Sequence, residues 1–545
     1  MAVDKLVDSA QLNSDLTSVA NAIRAKSGGS GSLSFPSGFI SEIGNIPSGG
    51  GGGGGGGSVS EDALNFFDAD GNIVESYSKA EALALESLPE NPTKTGLVPQ
   101  GWNWTLAEIK DYYTSCPDGI INVGQMYTTD DGKTRIYIHL EEERKSPMVA
   151  LYVNGTVDVD WGDGTEHSTL TGTSATSSTK RTSPHEYEHG GDYVIKLTVN
   201  GQFSVFGTSS GGYGSIVRGY TSDGDYRNRY YSFSISRIEF GNGFVGIRDY
   251  GFYYNPNLRT ITLPTSLTTI GKLAFYQNSS LSFITIPNTV TNMSTSGDAF
   301  GYCSSLEYVS LPTGITGIGS GAFEKCFSLK SITIPKNVTI LTTSIFDRCI
   351  SLKKIVIPRT VTTINDSICK NCSALKNVIM YDGITTIDAD SFRECSSLSA
   401  IALSSTLNSI GQYALYRCTP LKNVVLPDGI TTIPNYLLSY CSNLKSISIP
   451  SNVTSIGTEA FSYCDSLVSI TVPSGVTQIG NNAFSYCASV KEYHFLSITP
   501  PTLGSGAFSG IPKDCIIYVP VGSLEAYQTA SNWSTYASYM QEEPQ

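Results

Sequence analysis

At 545 residues the chain has room for three or more domains. Its net charge of −13 argues against nucleic acid as a partner, and 15% charged residues beside 54 glycines and 31 tyrosines suit an extended β-rich surface better than a compact enzyme. No apolar run approaches membrane-spanning length, so membrane insertion is not expected. Met1 to Asn13 carries Asp4, Lys5 and Asp8 without an apolar core, which is not the pattern of a secretory signal peptide, and Met540 to Gln545 shows neither an anchor nor a wall-sorting signal. The 12 cysteines fit folding in a reducing cytoplasm.

Leu12, Leu16, Val19, Ala20 and Ile23 fall on one face of a helix expected to begin near Asp8 or Ser9 and to stop at Gly28-Gly29-Ser30-Gly31. A second short apolar piece, Leu33 to Ile46, contains Phe35-Pro36-Ser37-Gly38-Phe39. Residues 1–48 are too few for a core of their own and are read as a helical attachment segment that packs on copies of itself or on another protein. Leu12-Asn13-Ser14-Asp15-Leu16, Ala22-Ile23-Arg24-Ala25-Lys26 and the Phe35 to Phe39 phrase resemble the N-terminal segment of tail-associated structural proteins of bacteriophages and prophages from gut bacteria. Nine glycines, Gly49 to Gly57, follow as a linker. A flexible chain of that length spans roughly 16 Å, and the alternative is a packed stretch where chains of a fibre meet.

Residues 58–147 read as a small α/β module. Leu64 to Phe67 and Ile73 to Tyr77 flank Asp70-Gly71 as a hairpin; the Asp68-x-Asp70 pattern is not an EF-hand, because Lys79 stands where an acid is needed. Thr105-Leu106-Ala107-Glu108 is a capping box for a helix to about Tyr113, Trp102 and Trp104 are core candidates, and Arg135 to Leu140 alternates as a strand. Residues 148–202 contain Asp160-Trp161-Gly162-Asp163-Gly164-Thr165, His185-Glu186-Tyr187 and the alternating strand Gly191 to Val199, the pattern of a small β-sandwich. These three phrases resemble a PKD-type domain, which implies a spacer or binding module without chemistry of its own. His185 and His189 have no third ligand nearby, so a metal is not expected.

Residues 203–234 change to Gly, Ser, Tyr and Arg, a texture typical of recognition loops. Tyr213, Tyr220, Tyr226, Arg227 and Arg229 are candidate receptor contacts, against packing of the loop over the following coil. From 235 to 510 a phrase of 23 residues repeats about a dozen times, as in Cys326 to Pro335 and Cys464 to Pro473, and a fixed period of this size predicts a solenoid. Leu-x-x-Ile-x-Ile-Pro supplies three inward apolar residues and a Pro that ends the strand; a second apolar pair and an Ala-Phe step fill the coil. Asn255, Asn278, Cys303, Cys326, Cys349, Cys372, Cys395, Cys418, Cys441, Cys464 and Cys487 hold one ladder position. An inward Asn there is expected to bond turn amides of its own coil, with Cys as a smaller buried substitute. Free thiols are expected, since stacked parallel side chains suit disulfide geometry poorly, and Cys369-Lys370-Asn371-Cys372 is read as core packing. Period, ladder residue, Leu-Pro step and Ala-Phe step together resemble the BspA-type leucine-rich repeat family. The outward strand positions, among them Tyr308, Ser331, Thr333, Lys354, Val356, Asn377, Ile379, Asn423, Ser446, Ser448 and Thr471, are expected to form a small neutral solvent face. Lys330, Lys353, Lys376, Lys422, Lys445 and Lys491 line up beside it as a solvated rim or as the seat of an anionic polymer.

Residues 511–545, with Cys515 to Val519, Tyr527 and Trp533, match the C-terminal end of BspA-type proteins and read as the cap a solenoid needs. The expected fold is mainly β with some α: a repeat solenoid preceded by a PKD-like sandwich, a small α/β module and an attachment segment. No catalytic, cofactor-binding or metal-ligating set is expected, because neither paired carboxylates in a groove nor a Gly-x-Ser-x-Gly elbow in a strand-to-helix setting can be picked out. Together the resemblances imply a structural, adhesive protein of a phage or prophage tail, in the virion, docked through its N-terminus on other tail proteins. Its repeats, with Tyr308, Lys330, Lys353, Lys376, Lys422 and Lys445 as further candidate contacts, would bind a polysaccharide or protein receptor on the bacterial host. A homo-oligomer, in a fibre usually a trimer, is expected. The alternative is a BspA-type adhesin of the bacterial cell surface.

Overall fold

The computed structural model describes residues 63–176, 179–205, 215–219, 234–291, 293 and 297–544. The attachment segment, the glycine run and five candidate contacts, Tyr213, Tyr220, Tyr226, Arg227 and Arg229, lie outside the described residues.

Strands β1 (Ala63–Phe67) and β2 (Ile73–Ser78) form the expected antiparallel hairpin. Asp68 builds its turn by accepting the amides of Asp70 and Asn72 at 2.8 and 2.9 Å, while Gly71 takes a φ of 81° that a side chain would strain. Helix α1 (Lys79–Ala84) starts on a capping box of Ser78 and Glu81, a signal the sequence reading passed over. Strand β3 (Leu97–Trp102), helix α2 (Leu106–Ser115, opened by the expected Thr105 and Glu108 box) and strand β4 (Ile121–Thr129) complete a sheet in the order β2-β1-β4-β3.

The next strands are β5 (Thr134–Leu140), β6 (Pro147–Asp160), β7 (Ser168–Thr173), β8 (Arg181–Pro184), β9 (Gly191–Val205) and β10 (Val217–Gly219). Strand β5 fell inside the α/β module when the boundary was drawn at 147, but it pairs antiparallel with β9 and so belongs to the following sheet. Around the Trp161-Gly162-Asp163 turn the packing is tight. Tyr187 donates its hydroxyl to the Trp161 carbonyl at 2.6 Å, and His185 stacks on the Trp161 ring at 4.6 Å while bonding Asp163 at 2.7 Å.

This sheet does not stop where the repeats begin. Strand β11 (Ser234–Glu239) pairs antiparallel with β5 and parallel with β13 (Thr260–Thr262). Strand β12 (Phe244–Ile247) pairs parallel with both β9 and β14 (Thr269–Ile270). The long strands thus cover the open backbone edge and apolar interior of the first coil, the two liabilities of an unprotected solenoid end.

Most later coils contribute one short parallel strand, such as Lys354–Val356, and a second of two residues, such as Thr363–Ile364, though the coil at Ile401 forms no first strand. Leu329, Ile332 and Ile334 point inward, as the Leu-x-x-Ile-x-Ile phrase predicts. Between the second strand and the ladder residue the chain turns through two left-handed residues four apart, for example Ser344 and Arg348 with φ of 57° and 60°. That bend carries the core aromatic inward, and Phe252, Phe275, Phe300, Phe323 and Phe346 stack at 5.4, 5.1, 5.5 and 5.9 Å. Cys369 takes the next place in that column and Phe392 the one after, each fully buried. At the far end a strand, Ile516–Val519, pairs parallel with Glu492–Phe495, and helix α3 (Leu524–Thr529) follows. Trp533 packs on Phe495 at 4.9 Å and donates to the Pro501 carbonyl at 2.7 Å, closing the apolar end.

Candidate binding surface

The small neutral strand face expected along the whole stack is not open along its whole length. The four-stranded module lies on it. Phe67 stacks on Phe283 at 5.0 Å and tilts against Tyr308 at 4.9 Å. Trp104 donates to the Leu311 carbonyl at 2.8 Å, and the Asn122 amide donates to the Thr333 hydroxyl at 2.9 Å. Ser310 in turn donates to the Asn122 carbonyl at 2.7 Å. Contacts continue down the stack: Arg359 donates to the Ser115 carbonyl at 3.1 Å and lies over the Tyr381 ring at 4.2 Å. Close approach needs small residues on both sides. A Cβ on Gly124 would come within 2.0 Å of the Thr285 hydroxyl, so Gly124, Ser310, Ser331 and Thr333 are the fitted surfaces of a close joint.

Ser331, Thr333 and Val356 are therefore buried, and Tyr308, Lys354 and Ile379 half-buried. Tyr308, a candidate contact, faces Phe67 instead of solvent. Lys330 is also engaged, pairing with Glu307 at 2.6 Å and lying over the Tyr308 ring at 5.5 Å.

Beyond the module the face is bare. Asn377, Asn423, Ser446, Ser448 and Thr471 are exposed, and Val425 keeps 69% of its surface in solvent. Alongside it run Lys353, Lys376, Lys422 and Lys445, all exposed and, among the described residues, without an ion pair. The amide of Lys376 bonds the Lys353 carbonyl at 2.8 Å, and Lys445 bonds Lys422 likewise. Like charges are thus held on neighbouring coils with no local compensation, whereas Lys491 at the end of the row pairs with Asp514.

The ladder residues do something other than what was expected of them. Asn278 donates to the Phe252 carbonyl at 2.8 Å, and Cys326, Cys349 and Cys372 donate to the carbonyls of Phe300, Phe323 and Phe346 at 3.2, 3.1 and 3.0 Å. The partner lies in the preceding coil, not in a turn of the same one; Asn255, in the first coil, instead donates to the Tyr253 carbonyl of its own turn at 3.4 Å. All 12 cysteines are free and buried, and burial pushes the thiols of Cys303, Cys418 and Cys487 up to about 12. Among the described residues no group of three His, Cys, Asp or Glu is placed to hold a metal, and no helix is long and apolar enough to cross a membrane.

A second surface, missed by the sequence reading, follows the left-handed turns. Tyr440, Tyr463 and Tyr486 stack at 4.5 and 4.8 Å, with Arg417 5.1 Å over Tyr440. Near the first coils Tyr250, Tyr253, Tyr276 and Tyr302 gather with Asp298 and Glu324 around a pocket of about 370 Å³. The 23-residue spacing of these tyrosines, Tyr253 to Tyr276 and Tyr440 to Tyr463 to Tyr486, was the available signal.

The model of the BspA type leucine rich repeat region matches this chain in six copies, over residues 226–298, 293–399 and 362–491. No curated protein matches it. Among solved structures, a leucine-rich repeat protein from Bacteroides ovatus is 25% identical, covering 64% of this chain and 100% of its own, with a TM-score of 0.47. One from Eubacterium ventriosum is 25% identical, covering 44% of this chain and 68% of its own, with a TM-score of 0.32. A leucine rich cell surface protein from Faecalibacterium prausnitzii is 19% identical, covering 64% of this chain and 98% of its own, with a TM-score of 0.33.

Proposed function

We propose that this chain, whose residues 226–491 are repeats of the BspA leucine-rich type, is an adhesin of the bacterial cell surface that grips its receptor with the bare part of the strand face. The observation that carries the reading is the pairing of that face with unpaired lysines: where the module ends, small outward residues and Lys376, Lys422 and Lys445 are left to solvent together. A flat face flanked by a basic row suits an extended anionic or hydroxyl-rich polymer, and several copies of the protein acting together would turn weak contacts into lasting ones. The reading includes no catalysis, and release of sugars from isolated cell walls by the pure protein would count against it.

The test is binding of the labelled protein to whole bacteria. Reversing Lys376, Lys422 and Lys445 to Glu is expected to lower binding about tenfold at low salt and less at high salt, with the melting temperature unchanged. Ser446→Arg with Thr471→Arg should block the face sterically. If both variants bind as the parent does, the strand face is not the contact surface.

A phage-tail protein is the second reading, favoured by the Phe35-Pro36-Ser37-Gly38-Phe39 phrase and the nine-glycine run ahead of a displayed repeat array. In that setting residues 1–48 would dock on other tail proteins and the chain would act as a homo-oligomer. Recovery of the native protein in purified virions supports this second reading, and recovery in the cell-wall fraction supports the first.

A further inference from the structure

We propose that the pocket formed by Tyr250, Tyr253, Tyr276, Tyr302, Asp298 and Glu324 is a binding site for a sugar residue carrying a free amino group. The pocket lies on the turn edge of the early coils and not on the strand face, so the assignment goes beyond the adhesive reading. Its volume of about 370 Å³ is ample for one sugar ring and wider than an alkylammonium chain requires. Its wall combines two chemistries. Aromatic rings attract cations and pack on the apolar face of a sugar, and phenol and carboxylate oxygens accept from hydroxyl and ammonium groups.

The chain itself shows that the site holds an ammonium group. Lys325 places its Nζ 4.1 Å over the Tyr302 ring and 2.8 Å from Glu324, and bonds the Tyr302 hydroxyl. Asp298 has no such partner: among the described residues no ion pair or side-chain hydrogen bond reaches its carboxylate. Burial, followed by the charge of Glu324, pushes its carboxyl up from the ordinary range, against the opposing effect of Lys272 and Lys325. The coil does not need an acid at this place, because the equivalent left-handed residues of the next three coils are Gly321, Ser344 and Ser367. A half-buried carboxylate without a partner is costly to the fold and useful to a cationic ligand. The other tyrosine cluster differs in this respect: there Asp390, at the register of Asp298, pairs with Arg393 at 3.0 Å.

Binding should be measured by calorimetry on the intact protein with a glucosamine oligosaccharide, its N-acetylated counterpart and tri-lysine. The glucosamine oligosaccharide is expected to saturate one site, more tightly as pH rises through the carboxylate range and Asp298 ionises, and at least tenfold tighter than the other two. Asp298→Asn should weaken that binding about tenfold while raising the thermal midpoint at pH 7, a combination that a merely structural residue would not give. Tyr250→Ala should weaken it as well. The assignment is overturned if the N-acetylated ligand or tri-lysine binds as well as the amino sugar, if Asp298→Asn binds unchanged, or if no ligand saturates.

Discussion

Cys326 gives its thiol hydrogen to a carbonyl one coil back, and the later ladder cysteines repeat the contact in turn. The Phe300 carbonyl already accepts the Cys303 amide at 3.2 Å, and a carbonyl oxygen has a second lone pair that a small polar side chain from the next coil can fill. Asn278 does this with an amide and the cysteines with a weaker, smaller donor, which explains why both types share one register. Removing the thiol leaves the carbonyl with its backbone bond alone and opens a small gap in the core. Cys418→Ala is expected to cost about 1 kcal/mol, read from the denaturant midpoint. The thiols should also be inert: a native sample at pH 8 is expected to react with a thiol reagent at almost none of its 12 cysteines, and at all of them in denaturant. Because the folded state raises these groups from 9 to about 12, their contribution is complete below about pH 9 and is lost as pH rises toward 12. Stability should therefore fall steeply over that alkaline window, and a flat profile there would contradict the account. The position and burial of the ladder were legible in the 23-residue period, but the bond was not, because its acceptor belongs to a neighbouring coil.

Secondary elements were read best where the signal is local. The hairpin at Asp70-Gly71, the Thr105 cap and the strand β5 are where turn chemistry, capping and alternation put them. The partner of β5 was not legible, because alternation marks a strand without saying which sheet it joins. Its joint with the first coil encloses a buried charge. Glu239 on β11 is 1% exposed, accepts from the Tyr137 hydroxyl on β5 at 3.1 Å, and pairs with Arg237 and, at 3.5 Å, with Arg135. Arg135 also pairs with Asp131 at 2.9 Å and donates to the Gly96 carbonyl at 3.0 Å, so one guanidinium ties the module, the long-stranded sheet and the solenoid. Arg135→Ala is expected to destabilise the protein by about 3 kcal/mol, since it weakens the compensation of a carboxylate already out of water. A loss below about 1 kcal/mol in chemical denaturation would show that Arg237 suffices alone.

At the scale of the molecule, the solenoid was written in the sequence and the burial of half its strand face was not. Small residues such as Ser310 and Thr333 look the same in a sequence whether they meet water or another sheet, and only the position of Gly124 opposite Thr285 distinguishes the two. Since Val356 joins the core around Trp102 and Trp104, module and early coils should unfold together. Tryptophan fluorescence and far-ultraviolet dichroism are expected to trace one denaturation curve, and an earlier fluorescence change would mean that the module detaches first. The docked module has one more effect. It touches the stack at Thr265 through Gln100 and again at Tyr381 through Asp118, and so acts as a ruler laid across the intervening coils. Adding or deleting a 23-residue unit within that measured span would throw its fittings out of step. Past Tyr381 nothing among the described residues gauges the count, so related chains are free to lengthen or shorten there, and their variation in size should gather in that distal stretch.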